Sequence, residues 1–173
     1  MDGDTCGGLA PLAGIHKDFI RGWLRWMERE GPRGLGPMPA LAVVNAQAPT
    51  AELRPAGRGQ TDEGDLMPYA ILDVIERLAV EEKRAPDEIL PMLGAQFPER
   101  DVAELAVHVR RFFQLWCRNQ WKRERFAPSF HLDTHSLDPR TWCRFPILSG
   151  GFEEELVALD EERPRPGGDR SSP

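Results

Sequence analysis

The chain has 173 residues and a mass of 19.5 kDa, with 40% hydrophobic residues, which suffices for one domain with a single core and not for two. Its formal net charge of -6 argues against sequence-independent nucleic-acid binding, which needs a net basic face to release counterions. No apolar run of about 18 residues exists to form a membrane-spanning helix, and the opening MDGDTCGGLAPL lacks a basic region followed by an apolar one, so a cytoplasmic protein without a signal peptide is expected.

Residues 1–14, rich in Gly and Ala and without periodicity, read as a loop. In IHKDFIRGWLRWMERE, residues 15–30, Phe19, Ile20, Trp23, Leu24 and Met27 fall on one stripe at helical spacing, which predicts an amphipathic helix. ALAVVNA, residues 40–46, fits either a short helix or a strand. Pro49 to Tyr69 reads as a loop. A connecting loop needs only polarity and a few glycines, whereas this one sets Thr50 and Glu52 at its entry and Gln60, Thr61, Asp62 and Glu63 before its exit. Such residues suit a phosphate or metal site.

Pro68 opens a further helix over PYAILDVIERLAVEE, with Tyr69, Leu72, Ile75 and Ala79 as its apolar repeat. A short helix around PDEILPML follows. The strongest helical pattern runs from Arg100 to Arg125: Asp101 and Glu104 have capping-box spacing, and Val102, Leu105, Val109, Phe112 and Trp116 form a seam. From Phe126 to Pro146 the chain is irregular, interrupted by Pro128, Pro139 and Pro146. GFEEELVALDEE can form a last helix. The expected division is a mainly α unit over residues 1–160 and a disordered tail over 161–173.

Cys6, Cys117 and Cys143 are odd in number, far apart and without C-x-x-C spacing, so they read as reduced thiols filling apolar space. Lys17 stands in a first helical turn, where the macrodipole favours an anion. A phosphate held by the free N–H groups and Lys17 relieves that conflict; a solvated lysine is the plainer alternative. Arg118, Lys122, Arg123 and Arg125 lie among Trp116, Trp121 and Phe126, as expected of a helix C-terminus, of a nucleotide contact or of a nucleic-acid surface. His131, Asp133 and His135 alternate as an extended metal-binding segment would, but no fourth ligand is evident and no metal is assigned. Ser149 to Gly151 lacks the lysine of a phosphate-binding loop and precedes Glu153, Glu154 and Glu155, so it reads as a turn.

Taken in order, GGLAPLAGIHKDFIRGWLRW, APTAELRPAGRGQTDEGDLMPYAILDVI, VRRFFQLWCRNQWKRERFAPSFHLD and CRFPILSGGFEEEL resemble the C-terminal part of glutamine-dependent NAD synthetases over about residues 3–159. The resemblance implies a segment of an α/β Rossmann-like adenine-nucleotide α-hydrolase (ATP pyrophosphatase) domain, here without its parallel sheet. It further implies a ligase in which ATP and Mg²⁺ activate deamido-NAD as an adenylate and ammonia from glutamine displaces AMP. Lys17 then matches the lysine near the ATP phosphates, Thr50 the threonine on the same nucleotide, and Lys122 the lysine that contacts deamido-NAD. Glu52, Asp62 and Glu63 fall in a loop that covers the nucleotide.

The departures are equally specific. The family's glutaminase domain and its S-G-G-x-D-S pyrophosphate loop have no counterpart in the sequence, and Trp121 stands where many relatives have His. The isolated chain is therefore expected to be inactive, with no catalytic residue assigned and no tightly bound cofactor. Its expected partners are the missing glutaminase and pyrophosphate-loop portions, in a full-length homo-oligomer; neither nucleic acid nor membrane is expected. A non-enzymatic remnant or a partner-binding helical module is the alternative.

Overall fold

Residues with helical stripes form helices, and the turn residues between them set where each one stops. A computed structural model describes residues 8–9, 11–12, 15–50, 59–123, 127–128, 130 and 143–161. In chain order the helices are α1 (Lys17–Arg29), α2 (Ala42–Asn45, entered through a 3-10 turn Pro39–Leu41), α3 (Asp62–Asp65) and α4 (Tyr69–Glu76), followed by α5 (Pro86–Gln96), α6 (Val102–Arg118), α7 (Gln120–Arg123) and α8 (Glu153–Glu161). No strand occurs among the described residues, in line with the mainly α expectation, and ALAVVNA resolves to helix.

The core lies where α4, α5, α6 and α8 meet. Ile75, Ile89, Leu93, Leu105 and Val109 are fully enclosed there, and Leu159 closes the side facing α8. Each such aliphatic side chain contributes roughly 1.5–3 kcal/mol relative to exposure. Arg110 Nη2 donates to the Leu156 carbonyl at 2.5 Å and ties α6 to α8.

Several expectations need correction. The apolar stripe of α1 is only half covered: α1 packs against α2 and α4, Ile20, Leu24 and Met27 are half-buried, and Phe19 (65% exposed) and Trp23 stay open. The Pro49–Tyr69 loop contains a helical turn at its exit, because Thr61 accepts from the Gly64 amide at 3.1 Å and caps α3. Helix α5 continues through Pro91 to Gln96, beyond the predicted PDEILPML. Asp101 caps α6 by accepting from the Ala103 amide at 3.1 Å, but Glu104 pairs with Arg100 at 2.9 Å and does not complete the capping box. The helix predicted to reach Arg125 breaks at Asn119, and a separate turn, α7, carries Lys122.

Past α4 the chain widens into a π-helical turn, Arg77–Glu81, and stops at Lys83, which has φ +58°. The Arg84 amide returns to the Leu78 carbonyl at 3.0 Å, a closure that usually employs glycine.

Candidate functional site

Three stretches distant in sequence meet at the start of α1. The Asp62 amide donates to the Pro49 carbonyl at 2.9 Å, so α3 begins beside the residue preceding Thr50. The Tyr69 amide donates to Glu63 Oε1 at 3.0 Å, so α4 begins against α3. Both carboxylates then face α1. Lys17 Nζ donates to Asp62 Oδ2, and the Tyr69 hydroxyl donates to the same oxygen at 3.1 Å. One turn along α1, Arg21 Nη1 lies 3.5 Å from Glu63 Oε2. The two cations flank one aromatic ring, with Lys17 Nζ 5.8 Å and the Arg21 guanidinium carbon 5.3 Å from the Tyr69 centroid.

The charges are mutually set. The hydrogen bond from Lys17 holds the Asp62 carboxyl below the ordinary aspartate value, with Tyr69 adding to it and burial opposing. Burial works against the Lys17 ammonium, but the Asp62 hydrogen bond and the neighbouring Tyr69 outweigh it and raise its pKa. Burial is also the main reason that the Tyr69 phenol is pushed up. The anion paired with Lys17 at the start of α1 is Asp62, and the lysine side chain is 51% exposed.

Lys122 lies elsewhere. Its ammonium sits 5.7 Å from the Trp121 ring centroid, and its side chain borders an apolar groove of about 260 Å³ with Leu66, Met67, Leu72 and Leu115. Arg111 Nη1 fixes the near wall by donating to the Leu66 carbonyl at 3.0 Å. The stretch from Asp62 to Met67 therefore touches Lys17 at one end and the Lys122 groove at the other.

Arg123, grouped with Lys122 by sequence, has a different task. It donates to Gln120 Oε1 at 2.7 Å and to the Cys143 carbonyl at 2.9 Å, and its guanidinium stacks 4.3 Å from the Trp116 centroid. Gln120 is buried and donates in turn to the Trp116 carbonyl at 2.8 Å. This is a structural bracket. Cys117 and Cys143 are free thiols, and burial pushes the Cys117 thiol up against the opposing Ser149 hydrogen bond. Ser149 Oγ accepts from the Gly151 amide at 3.0 Å, with Gly151 at φ +91°, as in a turn. Glu52, Cys6, Arg125 and the His131, Asp133, His135 set lie outside the described residues.

The family model for NAD synthase matches residues 2–125. The chain belongs to the NAD synthase family. It is 33% identical over 148 residues to the glutamine-dependent NAD(+) synthetase of Xanthomonas campestris pv. campestris, a match covering 86% of this chain and 23% of that protein. With the Aquifex aeolicus glutamine-dependent NAD(+) synthetase the identity is 38% over 151 residues, covering 87% and 23%. The crystal structure of the Cytophaga hutchinsonii glutamine-dependent NAD(+) synthetase superposes with a TM-score of 0.73 at 46% identity, over 92% of this chain and 23% of that one. This NAD synthase family member thus spans about 23% of the length of these relatives.

Sequence reasoning singled out Lys17, Asp62 and Glu63, which meet at one corner, Thr50, whose neighbour Pro49 accepts from the Asp62 amide, and Lys122, which does not join them. It missed Arg21, and it took Tyr69 as an apolar helix position without its contact to Asp62. The spacing of Lys17 and Arg21 at i and i+4 was a usable signal; nothing local marked Tyr69 as their common floor.

Proposed function

We propose that residues 1–160 form the C-terminal portion of the synthetase domain of a glutamine-dependent NAD synthetase, itself a Rossmann-like α/β nucleotide-binding unit. The complete enzyme is a cytoplasmic ligase. It activates the carboxylate of deamido-NAD with ATP and amidates the resulting adenylate with ammonia released from glutamine. The observation that carries this reading is the convergence of Lys17, the Pro49–Thr50 strip and Asp62, three separate elements of the family motif, on one corner.

In this reading Lys17 neutralises phosphate charge on ATP, and the Thr50 hydroxyl donates to the same group. Lys122 holds a phosphate of deamido-NAD at the mouth of its groove. Asp62 and Glu63, with Glu52 earlier in the loop, belong to the segment that covers the nucleotide. Mg²⁺ is expected in such a reaction, but no group of three or more His, Cys, Asp or Glu side chains among the described residues could hold a metal ion. Asp62 and Glu63 face Lys17 and Arg21, and Gln60 donates to Asp65 at 2.6 Å. These carboxylates are engaged with side chains of the protein itself, and no step is assigned through Mg²⁺.

The test is a chimera. Residues 3–159 replace the matching segment of the Cytophaga hutchinsonii synthetase, and NAD formation from deamido-NAD, ATP and ammonia is measured. Retained turnover, lost with Lys17→Ala through a raised KM for ATP, supports the reading; a folded, inactive chimera rejects it. The isolated chain is expected to make no NAD. A partner-binding helical module is the second reading, favoured by the exposed Phe19, Trp23 and Trp26 on α1. A folded, inactive chimera is the outcome that favours it. In the leading reading that face, like the full-length homo-oligomer, belongs to contacts with the remainder of the synthetase.

A further inference from the structure

The Asp62–Glu63 dipeptide presents two negative groups to two cations one helical turn apart. Lys17 holds Asp62, Arg21 faces Glu63, and Tyr69 lies beneath both cations. Adjacent phosphates of a polyphosphate chain offer the same pattern of neighbouring anions. The carboxylates are not needed there as helix caps alone: Thr61 caps α3, and Glu63 caps α4 with Oε1, leaving Oε2 toward Arg21. Lys17 is 51% exposed and Arg21 26%, so Lys17 is open to solvent and Arg21 becomes more accessible once the carboxylates move aside.

We propose that Arg21 is a second phosphate-binding residue beside Lys17, and that Asp62 and Glu63 occupy this two-cation site internally until a polyphosphate displaces them. The proposal rests on the reading of Lys17 as a phosphate contact and adds to it a partner cation and an internal competitor. An intramolecular occupant lowers apparent affinity by the fraction of molecules it holds closed. It also keeps the cations paired when no nucleotide is bound, and it rejects ligands with a single phosphate, which must displace two carboxylates while satisfying one cation. The ligand class is a linear polyphosphate, free or as the tail of a nucleoside triphosphate.

Tyr69 is the single tyrosine of the chain, so 3-fluorotyrosine incorporation yields one ¹⁹F resonance at the floor of the site. The full chain is titrated with inorganic tripolyphosphate and, separately, orthophosphate. Asp62→Asn/Glu63→Gln keeps both hydrogen-bond acceptors and removes both charges; it is expected to bind tripolyphosphate at least about tenfold more tightly than wild type. Glu153→Gln/Glu154→Gln makes the same change of net charge at a distant exposed site and is expected to gain less than about twofold, a screened long-range effect. Arg21→Met is expected to weaken tripolyphosphate about tenfold and leave orthophosphate unchanged.

No gain from Asp62→Asn/Glu63→Gln, an equal gain from the distant pair, or no binding in any protein overturns internal occupancy. Equal losses for both anions, or none, in Arg21→Met overturn the second cation. Lys17→Met separates the layers. If it weakens tripolyphosphate while the double variant gains nothing, the phosphate reading of Lys17 stands and the internal competitor fails. If Lys17→Met changes neither anion, the phosphate reading itself fails.

Discussion

Lys17 of α1 and Asp62 of α3 form an ion pair across 45 residues of sequence, with the Tyr69 hydroxyl donating to the same carboxylate oxygen. The pair has a defined pH signature. The folded Asp62 pKa is depressed, so its stabilisation is present above the unfolded aspartate value and disappears as pH falls through the lower folded value. The folded Lys17 pKa is raised, so its share is present below the unfolded lysine value and disappears as pH rises through the higher folded one. Thermal melts across pH should show Asp62→Asn converging with wild type in strong acid and lying below it at neutrality. Coincident curves at all pH values would show that the pair adds no stability.

Lys122→Met tests the substrate role of the exposed lysine. The substitution keeps the apolar stem along the groove, so stability should change by less than about 0.5 kcal/mol. In the chimeric synthetase, kcat/KM for deamido-NAD should fall about tenfold to a hundredfold, the range of a charge-assisted contact. Arg118→Met, at the exposed end of α6, is the control. Equal effects of the two would return Lys122 to ordinary helix surface.

Arg123→Met should do the opposite. It removes two charge-assisted hydrogen bonds and the stack on Trp116, and leaves the buried Gln120 without one partner. A loss of roughly 2–3 kcal/mol in denaturant unfolding is expected. A change below about 0.5 kcal/mol would mean that the bracket contributes nothing.

Lys83→Gly addresses the left-handed residue that ends the π-helical turn. Glycine adopts this conformation without the Cβ conflict, so stability should rise by roughly 0.5–1 kcal/mol even though the Lys83 ammonium contact to the Val80 carbonyl is lost. A lower midpoint on chemical denaturation would show that this contact outweighs the backbone strain.

The helices themselves were legible in the sequence because apolar spacing and capping chemistry act over a few residues. The α6 seam placed Leu105, Val109 and Phe112 in the core, although Val102 at its start stays 45% exposed, and Pro86 marked the start of α5. Charge-bearing side chains were legible only as candidates. Lys122 and Arg123 are neighbours of similar chemistry, yet one lines a groove while the other brackets Gln120 and the Cys143 carbonyl. The α6–α7 break at Asn119 and the approach of residue 143 made that difference, and neither has a local signature.

The same holds for the corner at α1. Its composition suggested an anion beside Lys17, but that the anion is the chain's own Asp62, shared with Tyr69 and echoed by Arg21 and Glu63, follows from the packing of α4 against α1. Sequence by itself determined where most helices lie and which of their faces are apolar, because both depend on neighbours three or four residues away. Tertiary structure alone decided which charges meet, because Coulomb and hydrogen-bond energies depend on distance in space and not on separation along the chain.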